Sequence, residues 1–178
     1  RNYQAEYMNQ GGDLDDANED EGLFGFVESE AMKAQATQQL EDAIKLIPQD
    51  AKAAYMEALE RAPDLVAIES DPMRFLRFEK FNAWAAARRL VTYWSSRVAI
   101  FGKVKAFLPL DLTGKGALDE EDLAFLNSGC VVTLPNDSKN RSVICIDRSI
   151  KIHGADDMCI RPLFFLLSAA SENERSQK

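Results

Sequence analysis

Apolar residues between positions 29 and 108 recur three or four residues apart, which is the spacing of one face of an α-helix. Ser29 suits the N-cap of the first helix, because its hydroxyl can accept a hydrogen bond from an unpaired amide of the first turn. Pro48 and Pro63 end helical segments, since proline cannot continue a helix. The pattern therefore predicts a first helix over residues 32–46, a second over 50–62 and a short third over 64–69.

The longest amphipathic pattern follows these segments. Asp71 is a capping residue, Pro72 suits the first helical position, and Gly102 suits a helix end. Between them one apolar face recurs for about six turns. Its residues are Phe81, Trp84, Ala87, Val91, Trp94, Val98 and Phe101. The sequence predicts a single helix over residues 72–102.

The pattern changes beyond Pro109. Residues 109–128 read as a connecting loop that runs into a short helix, and residues 130–134 and 142–147 read as strands. The turn-rich PNDSKNR between the strands predicts a β-hairpin. Residues 156–173 then read as a helix in which Pro162 either lies in the first turn or causes a kink. The predicted fold class is α+β, mostly α, with helices first, then a hairpin and a last helix.

These elements suggest four segments along the chain. Residues 1–28 form an acidic tail that is expected to be disordered, residues 29–108 a helical module, 109–128 a connector, and 129–178 a hairpin–helix unit. Between Asp13 and Glu30 there are eight acidic residues and no basic one. The tail also holds LFGF at positions 23–26, which is either a docking peptide for the domain or a partner, or an incidental apolar patch. A protein partner could bind through this acidic segment.

Net charge, apolar runs and cysteine spacing limit the classes of function that the chain can have. The net charge of −8 argues against a nucleic-acid partner, because affinity for phosphates needs clustered Lys and Arg. No apolar run approaches the ~20 residues of a membrane helix. Cys130, Cys145 and Cys159 have no metal-site spacing, so reduced thiols in a cytoplasmic protein are expected.

The sequence gives little support for a catalytic site or a metal site. A nucleophile–base pair of Cys145 and His153 is disfavoured, because Cys145 lies in an apolar strand and reads as a buried structural thiol. A zinc site from these two residues and Cys159 matches no known spacing. We therefore predict no catalytic residues, no metal ligands and no cofactor, and hence a protein that is not an enzyme.

Residues 111–122, DLTGKGALDEED, imitate a calcium loop of the EF-hand type. Asp111, Thr113 and Gly116 stand at the expected positions. Lys115 occupies the place of an oxygen ligand, however, and Asp122 replaces the final bidentate Glu. The favoured alternative is a turn in which Asp119 and the acids after it cap the next helix at its positive end.

A basic cluster lies along the predicted long helix. It comprises Arg74, Arg77, Lys80, Arg88, Arg89 and Arg97. Bases interleaved with aromatics can form a surface for a membrane or a lipid headgroup, with Arg88 and Arg89 as the candidates. Because the aromatics follow a single stripe, we favour a solvated helix face with the aromatics in the core.

Two motifs resemble the CRAL-TRIO family. The first comprises Asp71-Pro72-Met73, Phe75-Leu76-Arg77, Lys80-Phe81-Asn82, Ala86, Leu90, Trp94, Arg97 and Gly102, and is similar to the family's helical N-terminal segment. The second, DSKNRSV at 137–143, resembles the turn before the family's first long strand. There Arg141 and Val143 match, whereas Asn140 and Ser142 replace a Gly and a Pro. The matches span roughly residues 50–175, and residues 113–122 have no counterpart in the family.

The resemblance implies a lipid carrier without covalent chemistry. The family encloses a hydrophobic ligand such as a phosphoinositide in an α/β domain, which residues 129–178 would begin, in either a fragment or a shortened relative. Val143 and Cys145 on the second strand are then the candidates for lipid contact. The implied setting is cytoplasmic and peripheral to membranes. The alternative is a helical adaptor that docks on a protein partner, with or without calcium at 111–122.

Overall fold

The structure is a computed structural model that describes residues 28–147, 149–150 and 160–172. Its elements in chain order are α1 (Glu30–Leu46), α2 (Ala53–Arg61), α3 (Pro63–Glu69), α4 (Pro72–Phe78), α5 (Ala83–Lys105), α6 (Glu120–Asn127), β1 (Val131–Leu134), β2 (Val143–Ile146) and α7 (Ile160–Ala170). The predicted α+β class, mostly α with one antiparallel hairpin, is confirmed. The acidic tail with LFGF, as well as His153 and Cys159, lies outside the described residues.

The first three helices follow the prediction closely. Ser29 caps α1 by accepting a hydrogen bond from the Met32 amide, as expected. The other end of α1 is completed by Lys52, whose buried ammonium group donates to the carbonyl oxygens of Ile44 and Lys45 at 2.8 and 3.0 Å. Both carbonyls belong to the last turn of α1, where the Ile44 oxygen also accepts from the Ile47 amide, so a cation is well placed at this negative helix end. Lys52 therefore joins the end of α1 to the start of α2.

The predicted single helix over 72–102 is wrong, because the chain breaks into α4 and α5. Lys80 and Phe81 both adopt positive φ, at 55° and 61°, which ends α4. Asn82 then caps α5 by accepting a hydrogen bond from the Ala85 amide. Asn is a favoured N-cap residue, so the new start is encoded locally. Apolar periodicity continued across this break and concealed it.

The end of α5 lies near the predicted position. Gly102 has φ 75° and ψ 164°, so the regular helix is interrupted there and one more turn follows. That region of φ and ψ is available almost only to glycine. The chain then turns through Phe107 and Leu108 into the connector.

The core of the helical module lies between α5 and helices α1, α2 and α4. Ala87, Val91, Trp94 and Phe101 of the predicted stripe are buried in it, whereas Trp84 remains 47% exposed. Trp84 falls in the first turn of the separate helix α5, beside the break that the prediction missed.

Two arginines of the basic cluster are buried, which corrects the expectation of a solvated basic face. Arg97 is fully buried and pairs with Glu69, while its guanidinium also donates to the Tyr93 hydroxyl at 3.0 Å and the Leu108 carbonyl at 2.7 Å. Arg77 is paired with Glu28. A buried cation persists only with such partners, and helical spacing alone does not reveal them.

The hairpin–helix unit packs on the helical module through α7. Strands β1 and β2 are antiparallel, with Val131 opposite Ile146 and Leu134 opposite Val143. Phe164 of α7 contacts the aromatic rings of Tyr93 and Phe101 on α5. Of the two expected places for Pro162, the described helix has it in the first turn, where it is buried. The predicted ends of this helix, residues 156–159 and 173, lie outside the described residues.

We expect Arg97→Ala to lower the free energy of unfolding by about 3–5 kcal/mol, because it leaves Glu69 and the Leu108 carbonyl without their cation. The matched control is Arg88→Ala on the exposed face of the same helix, which should change stability by less than about 0.5 kcal/mol. Urea unfolding measures both. Equal midpoints for the two variants would contradict the role assigned to Arg97.

Candidate functional site: an apolar cleft beside the hairpin

An apolar cleft of about 430 Å³ opens where the connector, α6, β1 and α7 meet. Its apolar lining comprises Leu112, Leu123, Leu126, Val131, Val132, Phe165 and Leu166. Asn127 and Thr133 supply the polar lining groups. The volume falls within the ~300–1,000 Å³ range of small-molecule pockets. We refer to this site as the hairpin cleft.

Each wall of the hairpin cleft follows from local sequence. Leu123 and Leu126 lie three positions apart on α6 and therefore share one face. Beneath them Phe125, Val131 and Leu166 are buried in a small apolar cluster, which fixes α6, β1 and α7 relative to one another. The chemistry that such a lining offers is burial of an apolar group.

A polar clamp of four side chains holds α6 and α7 together beside the cleft. Asp119 and Asp122 form a reciprocal capping box at the start of α6. Arg161 of α7 donates to Asp119 at 3.1 Å and to Asp122 at 3.1 Å. Lys105 of α5 completes the clamp with a 2.8 Å contact to Asp119. The clamp thus ties the helical module, the connector and α7 at one point.

The two carboxyl groups of the clamp are shifted in opposite directions. The hydrogen bond from Lys105, together with the Asp122 amide and Arg161, holds the pKa of Asp119 well below its usual range. Burial raises the pKa of Asp122, whose side chain is 1% exposed, although its backbone hydrogen bond and Arg161 oppose that shift. Asp119 is the carboxylate that contacts both cations, Lys105 and Arg161.

The loop at 111–122 is a capped turn in the structure. The carboxylates of Asp119 and Asp122 are engaged in the helix cap and the clamp, and Asp111 accepts from the Thr113 amide and hydroxyl. Gly116 packs so closely that a Cβ there would lie 2.3 Å from the Pro109 carbonyl oxygen. This geometry matches the favoured alternative to a calcium loop. Within the described residues no group of three or more His, Cys, Asp or Glu is placed to hold a metal ion.

The two lipid-contact candidates on β2 lie outside the lining of the hairpin cleft. The register places Val143 and Cys145 on the hairpin face opposite to Val131 and Ile144, which pack on the core. Cys145 is exposed, so the expectation of a buried structural thiol is wrong for it; of the two cysteines in the described residues, Cys130 is the buried one. The sequence showed that Val143 and Cys145 share one face of the hairpin. Which of the two faces packs on the core depends on the positions of α6 and α7.

The headgroup candidates Arg88 and Arg89 are both exposed on α5. Arg89 pairs with Glu79, and its guanidinium lies 4.1 Å from the ring centroid of Phe78. Arg89 also borders a second apolar depression, between α4, α5 and α7, which we call the α4–α7 groove. Arg88 and Arg89 thus lie apart from the hairpin cleft, to which neither contributes a lining group.

Sequence reasoning missed the residues that build the hairpin cleft. Leu123 and Leu126 carried a usable signal, because they form a two-residue apolar face on a short helix predicted from its acidic start. Leu112 carried none, since a lone leucine in a loop is common. The partnership of Arg161 with Asp119 spans 42 positions along the chain and could not be read locally.

No helix in the described part of the chain combines the length and apolar character needed to cross a membrane. Comparison of the chain with known protein families, curated proteins and solved structures finds no match to any of them.

We expect Asp119→Asn to weaken the clamp in a pH-dependent way while retaining the helix cap, because Asn is an equally good N-cap. The folded-state pKa of Asp119 is lowered, so its contribution is fully present above the ordinary pKa of ~3.9 and is lost as the pH falls through the folded value. The difference in unfolding free energy between wild type and variant should shrink between pH 5 and 2. A difference that stays constant over this range would contradict the assignment.

Proposed function

We propose that this chain is a non-catalytic lipid-binding module that takes an acyl chain into the hairpin cleft. The observation that carries the proposal is that the cleft is lined mainly by Leu, Val and Phe side chains, with Asn127 and Thr133 as polar groups and no ionisable side chain among the described lining residues. An enzyme site needs a nucleophile, an acid or a base at the reacting atoms. The lining offers apolar contact instead, which suits the hydrocarbon part of a lipid.

The driving force is burial of methylene groups, at about 0.8 kcal/mol for each CH₂ removed from water. Burying roughly eight methylenes would give about 6 kcal/mol before the costs of association. A volume of about 430 Å³ suits one chain of this kind better than a whole phospholipid. The ligand class that fits is a lipid whose headgroup remains at the mouth, next to Asn127 and Thr133.

The exposed apolar side chains of the hairpin–helix unit also support the proposal. Leu134, Ile146 and Ile160 are 46%, 53% and 53% exposed. Such residues close to an apolar cleft can meet a lipid surface from which a ligand is collected. Peripheral contact with a membrane through these residues is part of the same proposal.

The resemblance of the two motifs to the CRAL-TRIO family supports the same class of ligand. The adaptor alternative is supported less, because its calcium form would need the carboxylates of Asp119 and Asp122 that the polar clamp engages. Binding of a protein partner without lipid is the outcome that would favour the adaptor.

We expect Leu112→Asp to weaken binding of a fluorescent fatty acid, such as cis-parinaric acid, by about 10-fold, which corresponds to about 1.4 kcal/mol. Leu112 lines the cleft and is 57% exposed, so a charge there repels the apolar ligand without entering the core. The titration is followed by ligand fluorescence at fixed ionic strength.

The matched control is Leu46→Asp, which places the same charge at the 75% exposed end of α1. This variant should bind like wild type. If wild type shows no saturable binding, or if both variants bind equally well, the hairpin cleft is not the lipid site.

A further inference from the structure

The α4–α7 groove is separate from the hairpin cleft and has a different character. Its apolar walls come from Phe75, Phe78, Tyr93, Phe164 and Leu167, and it encloses about 240 Å³. This volume is below the usual range of small-molecule pockets but suits one or two side chains of a peptide. Phe78 and Leu167 are 56% and 57% exposed, so the groove presents open apolar surface.

The rim of the groove is basic, although the chain as a whole is acidic. Arg74 lines it and donates to the Glu69 and Ser168 carbonyl oxygens, both at 2.8 Å, and to the Ser171 hydroxyl. Arg89 also lines the groove, where its guanidinium pairs with Glu79, and Arg88 lies next to it on α5. An occupant that combines aromatic side chains with nearby carboxylates would complement both the walls and the rim.

Glu28, the first described residue, is held close to this groove by an ion pair. The Glu28 carboxylate accepts from Arg77 Nε at 3.0 and 3.2 Å and from its terminal nitrogen at 3.0 Å. The two side chains are 8% and 11% exposed, so this ion pair is screened from solvent. Arg77 belongs to the same short helix as Phe75 and Phe78, and the anchor therefore lies within one turn of the groove wall.

The residues just before that anchor have the required chemistry. LFGF stands at positions 23–26, two to five residues before Glu28, and Glu19, Asp20 and Glu21 precede it. A chain extends at most ~3.3–3.6 Å per residue, so Leu23 can reach roughly 18 Å and Phe24 roughly 14 Å from Glu28. Both distances exceed the ~10–12 Å diameter of a helix, so Leu23 and Phe24 can cross α4 to the groove.

We propose that Leu23–Phe26 of this same chain docks in the α4–α7 groove, with the Phe24 side chain between α4 and α7 and the preceding acids facing Arg74, Arg88 and Arg89. The docked segment covers Phe78 and Leu167. It also gives LFGF a role as an intramolecular ligand, since tethering at Glu28 raises its effective concentration at the groove.

The test is amide hydrogen exchange of the full chain, read for the peptide that spans residues 22–28. We expect exchange at least about 10-fold slower than the rate of an unstructured peptide. Leu167→Glu should return this peptide to the unstructured rate, because it adds a carboxylate to the groove wall. The control Ile160→Glu, at a 53% exposed position of the same helix, should leave the protection unchanged.

Two further measurements keep the result specific. Exchange of the α5 amides should be the same in both variants, which separates loss of docking from loss of folding. The protection should not depend on protein concentration, since the docking is within one chain. Unprotected amides in wild type, protection that survives Leu167→Glu, or protection that appears only at high concentration, as between two copies, would each overturn the proposal.

Discussion

The buried ion pair between Arg97 and Glu69 is the constraint on which the positions of the other elements depend. Removing two charges from water is costly, so the pair depends on further hydrogen bonds to both terminal nitrogens of Arg97 and to both carboxylate oxygens of Glu69, while Arg97 Nε is buried without a partner among the described residues. The second carboxylate oxygen of Glu69 accepts from the Leu110 amide at 2.7 Å, and Arg97 reaches the Leu108 carbonyl at 2.7 Å. The pair therefore fixes both α3 on α5 and the first residues of the connector.

That placement of the connector determines the shape of the hairpin cleft. Hydrogen bonds to Arg97 and Glu69 fix the backbone of Leu108 and Leu110 at the start of the connector. The connector then turns at Gly116, and Asp119 at its end pairs with Lys105 and Arg161. α6 and α7 are thus held at a separation that leaves apolar space beside β1. A purely apolar core could fill this space by small shifts, whereas the hydrogen-bonded clamp resists such closure. A preformed apolar cleft favours binding over collapse, because its walls need little rearrangement when a ligand enters.

Local sequence predicted the elements better than it predicted their partners. Ser29, Asp71 and Asp119 each carry a cap that depends on residues within three positions, and the helices they start were found. The break at Lys80 and Phe81 was missed, since apolar periodicity persists through it and only Asn82 marks the new start. The burial of Arg97 depends on Glu69, 28 positions away, which no local pattern contains. The hairpin cleft escaped prediction for the same reason, because it is built by contacts between α6, β1 and α7.

The central claim is that the chain binds one lipid through apolar burial and performs no chemistry on it. Native mass spectrometry of the protein purified from its own source, followed by lipid extraction, tests this most directly. The account predicts a co-purifying lipid at about one per chain, recovered unmodified and released when the protein unfolds. A chain that carries no lipid, and that also fails to take one up from vesicles of mixed phospholipids, would contradict the account and favour a protein-docking role.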